Sequence, residues 1–388
     1  MATRKIFTRD FVLCFMGQIT FSSVSHILIP TLPIYLSRLG STEVEIGVLI
    51  GSIGVSSLAI RPFVGRALLI IPEQKFMIAG ASLFAVTSVA FFFAFPFFPF
   101  LAVRVLQGIA VAFFYTASVT FIARITPEAH RGQGLSYFYL AFNVAFAITP
   151  TVGMFLINHF SFQALFSCCL SLSLCSVFFT TRLGKKEAET AKTPSSQDRA
   201  FISREALPPA IMAFFVHVIW GAVTAFFPLY ALSHGVENPG YFFAAYAIVL
   251  ILGRGLGGKV LDLYPKEKVI LPCISTYIIA MFILAFSKTL PMFILVAVVW
   301  GVGNAFLMPL LLTYALDRSG SSRGPATGTF TAISDLGVGI GPVIMGIILR
   351  WTNYQIMYLS LTFTGMINLG YFYFFVRKKM KDKKALKD

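Results

Sequence analysis

Acidic side chains are scarce in this chain: 16 Asp and Glu stand against 31 Lys and Arg in 388 residues, and charges of both signs make up only 12%. A water-soluble globule carries roughly a quarter of its residues charged, so a soluble fold is excluded. Cysteine and histidine are few, five of each, with no C-x-x-C pair and no histidines at metal-ligand spacing. That removes a disulfide framework and a metal site. There is no phosphate loop closing on Lys-Ser/Thr and no H-E-x-x-H helix, so nucleotide hydrolysis and metalloprotease chemistry go too. The chain is expected to be no enzyme and to need no cofactor. Cys14, Cys168, Cys169, Cys175 and Cys273 all fall in apolar runs and read as small packing residues.

What is present is grease: 57% hydrophobic residues, 42 Phe and a mean hydropathy of +0.81. Breaking the chain at charges and turn residues leaves twelve apolar stretches, near 11–36, 44–65, 76–96, 98–123, 134–158, 161–180, 208–232, 240–262, 268–287, 290–316, 326–349 and 354–376. Each has the length of about 20 residues that crosses about 30 Å of hydrocarbon as a helix. Segments such as "MFILVAVVWGVGNAFLMPLLLTYAL" are apolar all round rather than alternating, which excludes a barrel. Helices satisfy their own backbone groups in lipid, so the expected fold is all-α, with twelve transmembrane helices. The first stretch is too long for a signal h-region and lacks a small-residue cleavage site, so Met1 to Asp10 is expected to be a short cytosolic tail.

A net charge of +15 would suit nucleic acid if it were clustered on one face. It is instead distributed by topology. With the amino terminus in the cytosol, cytosolic segments hold 25 of the 31 Lys and Arg, external loops hold Arg38, Lys288 and Arg350, and Arg61, Arg104 and Arg254 lie within or at the ends of helices. This positive-inside bias places both termini in the cytosol and excludes a nucleic-acid partner. The basic tail "RKKMKDKKALK" reads first as a topology signal and second as a contact for the lipid surface.

One interruption divides the chain. The stretch "RLGKKEAETAKTPSSQDRAFISREALP" is polar and charged, a cytosolic linker over 182–208 between a six-helix half at 1–181 and a second at 209–388. The halves align at an offset of 192 to 195. "PIYLSRLG" from Pro33 matches "PLYALSHG" from Pro228; Arg61, Gly65 and Arg66 match Arg254, Gly258 and Lys259; Gly108 matches Gly301; Asn143 and Pro150 match Asp335 and Pro342. An even number of helices per half gives both copies one orientation, related by an axis along the membrane normal.

These motifs resemble those of the major facilitator superfamily, and the resemblance covers essentially the whole chain. "RPFVGRALLIIPEQK" is similar to a worn copy of the family's motif between helices 2 and 3, with Leu69 at its aspartate position. The second copy keeps more, with Gly258, Lys259 and Asp262. "RVLQG" at Arg104 to Gly108 is similar to the R-x-x-Q-G motif of proton-coupled members, and "GVGIGPVIMG" in helix 11 resembles the antiporter signature better than "AFAITPTVG" in helix 5. The resemblance implies two six-helix halves, alternating access, and a central cavity lined by helices 1, 4, 7 and 10. The nearest motifs are those of bacterial efflux-type proton antiporters, which implies a multi-pass protein of a bacterial inner membrane that works as a monomer.

Candidate site residues follow from charge and polarity at depth. Arg61, Gly65, Arg66, Arg254, Gly258, Lys259 and Asp262 form the expected gate, with Asp262 or Asp317 available to the second copy and Glu128 or Asp10 to the first. A cation as deep as Arg104 must be paired, wet or snorkelling, so it either faces the cavity or shapes its helix. Asp335 is the one acid well inside a predicted helix; with Arg104, His26 and His217 it makes up the expected proton-coupling set. Gln18, His26, Arg104, Tyr115, Tyr139, Asn143, His217, Trp220, Tyr246, Trp300, Asn304 and Tyr314 are the candidate cavity residues. Aromatic walls with a few hydrogen-bonding groups suit a small amphipathic organic solute. The expected function is proton-coupled export of such a solute; a lipid translocase or an organic-anion uptake permease of the same fold are the alternatives.

Overall fold

The computed structural model describes residues 7–93, 97–127, 130–184, 203–263, 265–319 and 323–377, without the side chains at 131–132, 254–263 and 323–325. Arg254, Gly258, Lys259 and Asp262 therefore lie, as side chains, outside the described residues, and so does Glu128. The described residues form twelve α-helices and no strand. They are α1 (Arg9–Arg38), α2 (Glu43–Ala67), α3 (Glu73–Ala90), α4 (Phe98–Ile125), α5 (Arg131–His159), α6 (Phe162–Thr181), α7 (Leu207–Ser233), α8 (Gly240–Leu263), α9 (Lys266–Phe286), α10 (Leu290–Ser319), α11 (Arg323–Trp351) and α12 (Tyr354–Tyr371), the last continued by a π-helical turn at Phe372–Val376. Ten of these segments are long and apolar enough to cross a membrane.

Helix ends follow local chemistry. Thr42 and Glu45 form a reciprocal capping box at the start of α2, the Glu45 N–H donating to Thr42 Oγ1 (3.3 Å) and the Thr42 N–H to Glu45 Oε2 (2.8 Å). The ends of α1 and α7 are built alike. Gly40 (φ +81°) and Gly235 (φ +76°) are the described residues in the left-handed region, and the N–H groups of Ser41 and Val236 reach back to Leu36 O and Ala231 O, both at 3.0 Å. That is the six-to-one closure of a Schellman turn, which needs glycine where a side chain would be strained.

The chain divides into two compact units. The first comprises Met1–Ser41, Ser52–Thr193 and Glu237–Ala244, and the second Thr42–Gly51, Pro194–Val236 and Ala245–Asp388. In the first, α1 packs on α5 and α6, and α3 on α4 and α6; in the second, α7 packs on α11 and α9 on α10 and α12. The first unit's core is phenylalanine: Phe21 stacks on Phe114 (4.0 Å, 7°) and meets Phe84 edge-on at 4.6 Å, which shows what many of the 42 Phe do.

Contacts repeat along with sequence. A Cβ on Gly108 would stand 2.7 Å from Ile53 O and 1.8 Å from Ser56 Oγ, so α4 and α2 touch backbone to backbone. The counterpart Gly301 meets Tyr246 O and Val249, at the same offset of 193. Ser176 Oγ donates to Gly17 O (3.0 Å) between α6 and α1, and Asn368 Nδ2 donates to Met212 O (3.2 Å) between α12 and α7. In a membrane, helices associate through such close approach and interhelical hydrogen bonds, because lipid offers no hydrophobic drive between them.

One repeated contact has its polarity reversed. Arg124 at the end of α4 grips Glu73 at the start of α3 with two bonds, Nε to Oε1 at 2.9 Å and Nη2 to Oε2 at 3.0 Å, and the Glu73 side chain is 7% exposed. At the same offset of 193, Lys266 at the start of α9 pairs with Asp317 near the end of α10. The acid and the base have changed places while the brace has stayed. Asp10 spends a carboxylate oxygen on the Gly184 N–H (3.1 Å), at the near end of the linker.

Breaking the enclosed member of these two braces leaves a charge without its counterion. Glu73→Gln is expected to lower stability by about 2 kcal/mol, between the exposed and the buried limits for ion pairs. The double substitution Glu73→Lys with Arg124→Asp, which copies the polarity of the second half, recovers most of the loss. Thermal unfolding of detergent-purified protein measures both.

Candidate functional site

In the first unit, polar side chains line one face of α1 and meet α4. Gln18, Ser22 and His26 recur every four residues and so share a face of α1. Ser118 Oγ donates to Gln18 Oε1 (3.1 Å), Gln18 Nε2 donates to Ser22 Oγ (2.7 Å), and the hydroxyls of Ser22 and Tyr115 lie 3.3 Å apart. The result is a four-member hydrogen-bonded chain between two helices. Arg61 on α2 acts electrostatically on the Tyr115 hydroxyl and donates from Nε to Ser57 Oγ (3.2 Å), one turn back on its own helix. The charge of Arg61, expected at the gate, is thus felt at the Tyr115 end of this cluster.

Arg104 and Gln107, one turn apart on α4, are enclosed. Arg104 is 6% exposed and donates from Nη1 to Gln107 Oε1 (2.8 Å), while the Gln107 Nε2 amide has no hydrogen-bond partner among the described residues. His26 is buried between the rings of Phe142 (4.5 Å) and Phe146 (5.0 Å), with Nδ1 unbonded among the described residues. Asn143, between those two phenylalanines in sequence, is buried as well, whereas Tyr139 lies half exposed on α5 beside Phe138. Gly65 and Arg66 occupy the last turn of α2, where a Cβ on Gly65 would meet open space.

The second unit places aromatic rings where the first has polar groups. At the offset of 193, Arg104 and Gln107 become Ala297 and Trp300. Trp300 lies 4.6 Å from Tyr246, 5.6 Å from Trp220 and 6.2 Å from Tyr277, and Trp220 lies 5.5 Å from Tyr246. Asn304, one turn along α10, ties the cluster together: it accepts from the Tyr277 hydroxyl (2.8 Å) at Oδ1 and donates from Nδ2 to the Tyr246 hydroxyl. Trp300, Tyr246 and Tyr277 are buried, and Trp220 is the half-buried member. Tyr314 stands ten residues beyond Asn304, about 15 Å along the helix, where its hydroxyl accepts from Arg318 Nη1 (2.9 Å).

His217 and Asp335 form the titratable pair of this unit. His217 Nδ1 donates to Ala213 O (2.8 Å), which fixes the neutral tautomer and leaves Nε2 as the exchangeable position. Asp335 on α11 acts on His217 electrostatically. The two helices come this close because a Cβ on Gly337 would stand 2.5 Å from Phe214 O and 3.0 Å from His217 Cβ, a gap that admits only hydrogen.

Tyr277, Glu73 and Arg124 are participants that sequence reasoning did not select. Tyr277 lies on α9, outside the helices that the resemblance ranks as cavity-lining, and nothing in an apolar run marks one tyrosine as hydrogen-bonded. Glu73 and Arg124 had a legible signal: aligned on their halves, they are opposite in charge to Lys266 and Asp317.

The family model of the Major Facilitator Superfamily matches residues 14–319 and 239–388. The chain is similar to the staphylopine export protein of Staphylococcus aureus, 27% identical over 370 residues with 91% of each chain covered. It is also similar to the quinolone resistance protein NorA of Staphylococcus aureus, 24% identical over 354 residues, covering 87% of this chain and 88% of that one. Among solved structures, a variant of the nucleoside transporter NupG superposes with a TM-score of 0.81 over 95% of this chain and all of that one; at 15% identity the likeness is one of fold.

Asn304→Leu removes the amide shared by Tyr246 and Tyr277, and the melting point is expected to fall by the equivalent of about 2 to 4 kcal/mol. Adding Tyr246→Phe and Tyr277→Phe restores part of it, since polar groups removed together cost less than one left without its partner. Thermal unfolding followed by tryptophan emission reads both.

Proposed function

The chain belongs to the Major Facilitator Superfamily, and we propose that it exports a small amphipathic organic solute in exchange for protons, by alternating access to the two faces of the membrane. It is a membrane transporter and not an enzyme, and the relatives named for export and for quinolone resistance support the outward direction. In this reading it acts as a single chain in a bacterial cytoplasmic membrane, with both termini cytosolic.

The observation that carries proton exchange is the His217 and Asp335 pair. A carboxylate beside an imidazole shares the electrostatic balance of one proton: protonating Asp335 removes the charge that favours an imidazolium, and losing that proton restores it. Because His217 is anchored through Nδ1, a change at Nε2 or at Asp335 is felt where α7 and α11 meet at Gly337. Two conformations that differ in the packing of these helices then differ in proton affinity, which is the linkage an antiporter requires.

Each unit, taken by itself, offers groups suited to solute recognition. The aromatic set of Trp220, Tyr246 and Trp300 offers flat apolar surface, with Trp220 the half-buried ring, and the chain from Ser118 to Tyr115 offers hydroxyl and amide groups. In the second unit the Asn304 amide and the Tyr246 and Tyr277 hydroxyls stand at the aromatic rings, so that unit by itself suits a molecule with an aromatic body and a polar group.

The test uses purified protein in proteoliposomes with an imposed pH gradient and a panel of radiolabelled aromatic acids, alcohols and amines. Gradient-driven movement is expected for the intact protein. Asp335→Asn is expected to abolish accumulation against a gradient while solute counterflow continues, because exchange without net proton movement does not need the carboxyl. If Asp335→Asn accumulates solute as well as the intact protein does, proton coupling at this pair is wrong; if labelled phospholipid moves and none of the panel does, the solute-exporter reading fails.

A further inference from the structure

At one end of the second unit the start of α9, the end of α10 and the close of α12 meet, and each brings a cation. α9 opens Lys266-Glu267-Lys268 behind Pro265, an N-cap that supplies no side-chain hydrogen bond. The positive end of a helix dipole disfavours lysine in its first turn and is a ready site for an anion. Lys266 pairs with Asp317 on α10, and Arg377 at the close of α12 reaches Glu267 at 3.8 Å with its own side chain 36% exposed. Glu267 acts electrostatically on Tyr314, and Tyr314 and Arg318 act on Tyr371, so these groups share one neighbourhood.

Arg318 is the cation here whose bonding is incomplete. Its Nη1 donates to the Tyr314 hydroxyl (2.9 Å), and the guanidinium lies over that ring at 5.5 Å. Its Nε is enclosed and has no hydrogen-bond partner among the described residues. Nε and Nη2 together form the edge that takes a carboxylate or a phosphate with two parallel bonds, and by this edge Arg124 holds Glu73. An enclosed donor left unmade is costly, so the Arg318 edge is shaped for an oxyanion that the described residues do not supply. At the offset of 193, Arg318 stands where the first half has Ile125, so it is no part of the brace that the halves share.

The surroundings say what kind of oxyanion. Tyr373, Phe374 and Phe375 in the π-helical turn are exposed, and Arg377 lies over the Tyr373 ring at 5.3 Å. Aromatic rings beside cations at the end of a spanning helix stand at the level of lipid headgroups. Beyond Arg377 the sequence adds six lysines and two aspartates in eleven residues. Basic runs that adjoin a transmembrane helix draw acidic lipid, and basic pockets between helix ends bind its headgroups.

We propose that the corner made by α9, α10 and α12 holds the phosphodiester of an acidic phospholipid, received by the Nε and Nη2 edge of Arg318. Tyr314 orients the guanidinium, while Arg377 and the first turn of α9 supply the field. The lysines after Arg377 raise the local concentration of acidic lipid without specifying the site. This site concerns the bilayer and is independent of which solute the protein moves.

Native mass spectrometry of the detergent-purified full-length protein counts bound lipids one at a time. The quantity read is the ratio of first-binding constants for phosphatidylglycerol and for phosphatidylcholine with the same acyl chains. The intact protein is expected to favour phosphatidylglycerol, and Arg318→Gln to lower the ratio about fivefold. Arg318→Lys keeps the charge but not the fork, so an intermediate ratio is expected. Replacing the six lysines after Arg377 by glutamine lowers the ratio as well, and adding Arg318→Gln lowers it again by a similar factor. Because both lipids are compared within one preparation, partial unfolding of a variant does not mimic the effect. A ratio unchanged in Arg318→Gln overturns the site. So does a preference that vanishes with the six lysines alone, which would belong to the tail. Inorganic phosphate that abolishes the preference at a concentration equal to the lipid's marks a free-anion site and overturns the lipid assignment.

Discussion

Helices immersed in hydrocarbon gain nothing from hiding apolar side chains from one another, so what holds them is the closeness of their backbones. The α4–α2 and α11–α7 crossings show the constraint, since a Cβ at Gly108 would stand 2.7 Å from Ile53 O and one at Gly341 2.3 Å from Val218 O. Everything else that repeats between the halves is placed by such contacts. They fix the rotation of each helix about its axis, and that rotation decides which side chains look into the polar cluster, which into the aromatic one, and which into lipid.

Given a frame fixed by backbone contact, the two halves were left room to differ in chemistry. The brace between the start of the third helix and the end of the fourth in each half survives with its charges exchanged, Glu73 with Arg124 and Lys266 with Asp317. An ion pair needs opposite signs and not a particular order, so the brace can invert without moving a helix. Where the first half has Arg104 and Gln107, the second has Ala297 and Trp300. One frame thus carries a cationic, hydroxyl-rich set of groups in one unit and an aromatic set in the other.

Much of this was legible before any coordinates. Twelve apolar stretches, the linker and the offset of 192 to 195 follow from hydropathy and alignment, and the twelve helices lie close to the stretches that predict them. The gathering of side chains was legible only in part. Gln18, Tyr115, Trp220, Tyr246, Trp300 and Asn304 are chosen from sequence as polar or aromatic residues on cavity helices, but their bonding to Ser22, Ser118 and Tyr277 is not. Serine is common in apolar helices and usually bonds its own backbone, as Ser23 does to Ile19 O, so its presence says little about contacts between helices. Arg61 shows the same limit: its motif suggests a gate at a helix end and gives no sign that its charge acts on the Tyr115 hydroxyl.

The sequence by itself determined that this chain is a bundle of membrane-spanning helices built from a duplicated half. A helix in lipid must satisfy its own backbone, so composition over about 20 residues is enough to specify it, and a repeat needs only alignment. Tertiary structure alone decided which polar groups meet. The bonds from Ser118 to Gln18, from Tyr277 to Asn304 and from Arg124 to Glu73 join residues on different helices, and they depend on rotations set by glycine contacts remote in sequence. An all-round apolar helix carries no amphipathic stripe to announce which face turns inward, so that information exists only once the helices have packed.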